Sequence, residues 1–144
     1  MGVKVWILVY AGDPVDLCKY RHASLFIRFG DELPDCGTLF HITGAQRSFQ
    51  FEEQPGYNPL KSSKLRNMVE VGDISAQVSN VRFILATTGV RNGIEDADWN
   101  CQNWVGDALQ KLQMRNDGDQ RKDMFSCCLL KVHDMLHIGV ISHR

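Results

Sequence analysis

From Cys101 onward the apolar residues fall at Cys101, Trp104, Val105, Ala108, Leu109 and Leu112, the i, i+3, i+4, i+7 spacing of a helix that buries one stripe and exposes the rest. A helix of that kind needs a surface to lie on, and the chain upstream supplies strands. His22, Ser24, Phe26 and Arg28 alternate with Ala23, Leu25, Ile27 and Phe29, so side chains of the two sets take opposite faces of an extended run. Gly37-Thr38-Leu39-Phe40-His41-Ile42-Thr43-Gly44 reads as a second short strand. The turn formers Gly30, Asp31, Pro34, Asp35 and Gly37 lie between the two runs. A hairpin folded about Asp31 and Glu32 is expected, with His22 and His41 opposite each other near its open end and on one face, the face on which the N-terminus of the Cys101 helix would then pack.

The remaining segments complete a scaffold. Residues 5 to 11 read as a buried central strand. Residues 47 to 52 alternate as a third strand that ends in the loop Gln54-Pro55-Gly56-Tyr57-Asn58-Pro59, a candidate substrate wall. Residues 64 to 71 suggest another strand, stopped by Gly72-Asp73. Residues 74 to 88 then suggest a helix capped by Asp73 and ended by Gly89 and Asn92-Gly93. Met124, Phe125, Cys128, Leu129, Val132 and Leu136 repeat at helical spacing within a last helix over residues 119 to 136. The expected fold class is α+β, a small antiparallel sheet packed against about three helices, with the 144 residues forming one domain.

Cys101 occupies the opening turn of its helix, with Asn100 or Asp98 as N-cap. The first backbone N–H groups of a helix lack intrahelical partners and favour negative charge, so a thiolate at that position is stabilised. A cysteine on a buried stripe is also, in the ordinary case, a small core hydrophobe. The two upstream histidines favour chemistry. A thiol, an imidazole and a second polar group that orients the imidazole are the set needed to deprotonate a nucleophile and later protonate a leaving group.

His22 in a strand, His41 in the hydrophobic-His-hydrophobic strand Phe40-His41-Ile42, and Asn100-Cys101 opening a helix followed by Trp104-Val105 together resemble the circularly permuted papain-like cysteine enzymes. These include the lecithin:retinol acyltransferase-like proteins and, more distantly, bacterial cell-wall amidase relatives and permuted deubiquitinase-like peptidases. The similarity runs over roughly residues 20 to 112 as ordered motifs. It implies a permuted papain-like fold, Cys101 as nucleophile, His22 as general base and His41 as the group that orients it. The chain departs from that pattern at Ala23, where the acyltransferase-like relatives tend to carry an aromatic residue. It also shows no long apolar C-terminal segment of the kind that anchors lipid-acting relatives.

Composition narrows the alternatives. With a formal net charge of −1 and scattered basic residues, the chain has no electrostatic footprint for nucleic acid or an anionic membrane surface. Its longest apolar run, residues 5 to 11, is far short of a membrane span and lacks the shape of a signal peptide. Of the five cysteines, Cys18, Cys36, Cys101, Cys127 and Cys128, one must stay unpaired in any set of intrachain disulfides. Free thiols in a reducing cytoplasm are therefore expected. Vicinal Cys127 and Cys128 point apart on a helix, which disfavours a redox pair. His133 and His137 lack the Glu of a helical zinc hydrolase motif, and no Cys-x-x-Cys pair exists, so neither metal nor cofactor is expected.

These readings converge on a hydrolase or acyltransferase that acts on an amide, ester or thioester of a small molecule or peptide through Cys101, His22 and His41. The alternatives are a cyclase or isomerase that uses the same groups as acid and base without a covalent intermediate, and a binding module that keeps the fold without turnover.

Overall fold

The computed structural model describes residues 3–12, 15–16, 21–30, 32–74 and 76–115. Five strands, β1 (Val3–Tyr10), β2 (His22–Arg28), β3 (Gly37–Thr43), β4 (Gln50–Tyr57) and β5 (Leu65–Ile74), form one antiparallel sheet in the order β4-β3-β2-β1-β5. Two α-helices follow among the described residues, α1 (Val78–Ala86) and α2 (Cys101–Arg115). The chain is thus α+β. The expected last helix, with Cys127, Cys128, His133 and His137, lies outside the described residues, as does Cys18.

Alternation along the central strands divides the buried side chains between two faces. Val5, Ile7 and Val9 of β1, Ala23, Leu25 and Ile27 of β2, and Phe40 and Ile42 of β3 form one cluster with Trp104, Val105, Ala108, Leu109 and Leu112 of α2. The apolar stripe anticipated for α2 is therefore what it buries. Each large aliphatic or aromatic side chain removed from water here contributes about 1.5–3 kcal/mol. The alternate positions Leu8, Tyr10, Phe26 and Leu39 form a second, smaller cluster, packed by Trp6, Tyr57 and Leu65.

Several boundaries differ from expectation, and those at Pro55-Gly56 and at Gly72 have a physical reason. β4 starts three residues after the expected strand and continues through Pro55 and Gly56 rather than ending in a loop. It is an edge strand, where a missing N–H is tolerated. The chain gains its extra residue here: Leu39 pairs with Gln54 while Gly37 pairs with Tyr57, and Gly56 takes φ 68°. β5 likewise runs past Gly72-Asp73, because Gly72 at φ 138° lies at a register shift against Val5 and Trp6 rather than at a stop. Ile74 is consequently the last residue of β5, not the first of a helix. α1 begins at Val78, with Gln77 rather than Asp73 at its N-cap.

Candidate active site

The β2–β3 register pairs Leu25 with Phe40, Phe26 with Leu39 and Ile27 with Thr38, so the expected hairpin forms. Continued outward, that register sets His41 against Ser24. His22 and His41 are therefore diagonal neighbours, not directly opposite. The pairing stops before it reaches either histidine, whereas β3 stays paired with β4 as far as Thr43 and β2 with β1 as far as His22. β2 and β3 thus part at this end.

The N-terminus of α2 reaches this opening. Asn100 is the N-cap: its Oδ1 accepts the Gln102 N–H at 2.9 Å, while its own N–H donates to Asn103 Oδ1 at 3.0 Å. The capped turn presents Cys101 to the backbone on both sides of His22. Ala23 N–H donates to Cys101 Sγ at 3.5 Å, and the thiol donates to the Arg21 carbonyl at 3.8 Å. Gln102 Nε2 donates to the same carbonyl at 3.1 Å. The Arg21 side chain is buried in a two-point ion pair with Asp16, at 2.7 and 2.8 Å, and Asp16 also accepts the Gly12 N–H at 2.9 Å. The carbonyl next to the thiol is therefore carried by an anchored residue.

The histidines meet each other directly, His22 Nε2 lying 3.2 Å from His41 Nδ1 with the rings edge to face. His41 Nε2 lies 2.9 Å from Glu52 Oε1, and β4 holds Glu52 as the register partner of His41. Tyr10, the register partner of His22, places its ring 5.8 Å from the imidazole and shares a 2.7 Å hydroxyl contact with Tyr57. Glu52, Gln102 and Tyr10 were not anticipated as members of this site, whereas Tyr57 belongs to the loop expected as a substrate wall. Glu52 alone carried a visible signal, its place on a polar position of an alternating strand.

Two expectations about the site are corrected. The body of α2 lies on the Ala23, Leu25 and Phe40 face, whereas His22 and His41 occupy the alternate positions, on the Tyr10 side. Cys101 therefore does not pack on the face that the histidines share. It meets the sheet at the backbone, through the gap between β2 and β3, and its hydrogen-bond partners among the described residues are main-chain groups rather than an imidazole. The second correction concerns charge. Burial pushes the thiol up from its ordinary pKa, outweighing the opposing pull of the Ala23, Gln102 and Cys101 N–H groups. At rest Cys101 is a neutral thiol.

His22 is also neutral at rest, because burial and then the neighbouring His41 lower its pKa to about 4. A neutral imidazole retains one lone pair and can accept a proton. Tyr10 is held above its ordinary pKa by burial and by Tyr57, so it remains a hydroxyl donor. A separate cavity of about 380 Å³, lined by Thr88–Arg91, Asp107, Gln110 and Lys111, opens farther along α2 and shares no residue with the Cys101 site.

Fold and site together define an α+β domain in which a helix-opening cysteine meets the backbone beside a histidine–histidine–glutamate chain. The protein belongs to a family of unknown function, DUF6540, whose model matches residues 5–116. That span contains His22, His41, Glu52 and Cys101. No curated protein and no solved structure matches the chain. Among the described residues, no helix is long and apolar enough to cross a membrane.

Proposed function

We propose that this protein carries out acyl chemistry through Cys101, on a permuted papain-like version of the α+β fold, as a hydrolase or an acyltransferase. The observation that carries the reading is the placement of the thiol against Arg21 O and Ala23 N, on both sides of a neutral His22 whose Nε2 is engaged by His41. In this reading the thiol gives up its long, weak hydrogen bond to the Arg21 carbonyl for one to the remaining His22 nitrogen, Nδ1. Sγ then attacks the acyl carbon of an amide, ester or thioester as its proton passes to His22. The tetrahedral intermediate collapses, the bond from carbon to the leaving heteroatom breaks, and His22 returns the proton to that heteroatom. Water or another nucleophile subsequently takes the acyl group from sulfur, regenerating the thiol. The N–H groups around the thiol are the donors available to the oxyanion.

The test uses an activated ester, p-nitrophenyl acetate, with peptide mass mapping of the trapped adduct. Acetylation of Cys101 ahead of Cys36 is expected, and it should be absent in a folded Cys101→Ser variant as a thioester. His41→Gln should retain most of the acylation rate, whereas His41→Leu should approach the roughly 10²–10⁴-fold loss of a misplaced acid–base group. Slow, equal modification of all thiols would overturn the reading.

A non-catalytic binding module is the second reading. The observation that favours it is the separation of α2 and the histidines onto opposite faces of the sheet, with the thiol neutral and bonded to backbone. The same mass mapping separates the two.

A further inference from the structure

We infer that Glu52 is a positioning residue which, through His41, fixes the tautomer of His22 and leaves His22 Nδ1 as the proton acceptor. As a statement about catalysis this rests on the acyl-transfer reading above. As a statement about tautomers it stands on three side chains alone.

The argument runs inward from the sheet edge. Glu52 is on β4, its side chain about half exposed, while the His41 side chain is only 12% exposed. Its neighbour Glu53 pairs with Arg82 of α1 at 3.0 Å, on the helix side. Strand alternation therefore turns Glu52 to the histidine side. An ionised carboxylate only accepts hydrogen bonds, so the 2.9 Å contact requires the proton of His41 to be on Nε2. With His41 neutral, its Nδ1 is then a lone pair and can only accept. The 3.2 Å contact to His22 must therefore be donated by His22 Nε2–H. A neutral imidazole carries one N–H, so His22 Nδ1 is unprotonated. Each bond in the series dictates the direction of the next, and the acidic end sets them all. Without Glu52, the two imidazoles can reverse their shared hydrogen bond, and the reversed form puts a proton on the His22 atom that needs to be bare.

The experiment combines ¹⁵N NMR of the histidine rings, at about pH 8 where imidazoles are neutral, with the rate of Cys101 acetylation by p-nitrophenyl acetate. In the unaltered protein His22 should show a pyridine-like Nδ1 and a pyrrole-like Nε2. Glu52→Leu, on an exposed edge position where the fold is retained, should move both His22 signals toward the exchange average and slow acetylation about 10-fold. Glu52→Gln should restore the signals and most of the rate, because its amide oxygen accepts the same N–H. The inference is overturned if His22 carries its proton on Nδ1, or if Glu52→Leu leaves the ring signals in place. If the rings behave as stated while Cys101 is never acetylated, the acyl-transfer reading fails and tautomer control by Glu52 survives. If acetylation proceeds equally fast with Leu at 52, the positioning role fails and the acyl-transfer reading stands.

Discussion

The two ends of the β2–β3 pair are held together by different means. At the closed end, Leu25–Ile27 and Thr38–Phe40 pair backbone to backbone, and Phe40 is fully buried between Phe29 and Phe51, ring centroids 6.3 and 6.4 Å away. Gly37 lies so close to this seam that a Cβ on it would meet the Ile27 carbonyl at 2.7 Å and the Phe26 ring at 2.8 Å. At the open end the strands separate, a helix terminus occupies the main-chain groups of Arg21 and Ala23, and the side chains are histidines. Strands that pair fully give away their donors and acceptors to each other. Strands that part keep them for something else, so stability concentrates at one end and polar chemistry at the other.

That contrast can be broken most forcefully at the closed end. Phe40→Ala should cost about 3–5 kcal/mol, the usual penalty for an emptied aromatic core site, read from urea unfolding. An effect below about 1 kcal/mol would mean that the closed end is not where stability concentrates.

The open end should show its character in pH dependence. His22 has a pKa of about 4 in the fold against an ordinary 6.5, so the unfolded chain binds its proton first as the solution is acidified. Stability from this group is complete above pH 6.5 and is lost as pH falls toward 4, by about 3 kcal/mol at most. His22→Gln should flatten that part of the profile; an unchanged slope in the variant would assign the loss to other groups.

Gly37→Ala should cost about 1–3 kcal/mol, since backbone and a packed ring must shift to admit one methyl group. The smallest effect is expected at the helix end. Asn100→Ala removes the cap of α2 and should cost about 1 kcal/mol in thermal or urea unfolding. A loss as large as that of Phe40→Ala would make the open end a structural keystone and erase the comparison.

Local pattern carried part of this architecture and not the rest. The alternation in β2 and β3 and the stripe from Trp104 to Leu112 are periodicities of single segments, readable residue by residue. Asn100 as cap was one of two local options. The misplaced boundaries have a common cause: Pro55, Gly56 and Gly72 look like stops, but on an edge strand or at a register shift they are bends within strands. Ile74 was drawn into α1 because an apolar residue fits either element. Period-2 alternation separates two faces without saying which face a helix will cover, which is why α2 was expected beside the histidines and packs on the other side. Glu52 and Gln102 depend on register and on helix docking, both products of tertiary contact. No spacing in the chain encodes the 2.9 Å between Glu52 and His41.

The irregular outer strand has a consequence for how the molecule coexists with its own copies. A sheet with a free border invites growth, since any extended peptide that matches the row of amides and carbonyls can extend it and begin a fibre. Among the described residues β4 forms such a border, and Pro55 contributes no amide hydrogen there, while the backbone at Gly56 bends out of line. Glu52, its side chain about half exposed, adds a charged group to the same strand. The feature that disguised the far end of this strand as a loop therefore also makes it a poor template, so the border that holds Glu52 against His41 resists being zipped to a neighbour.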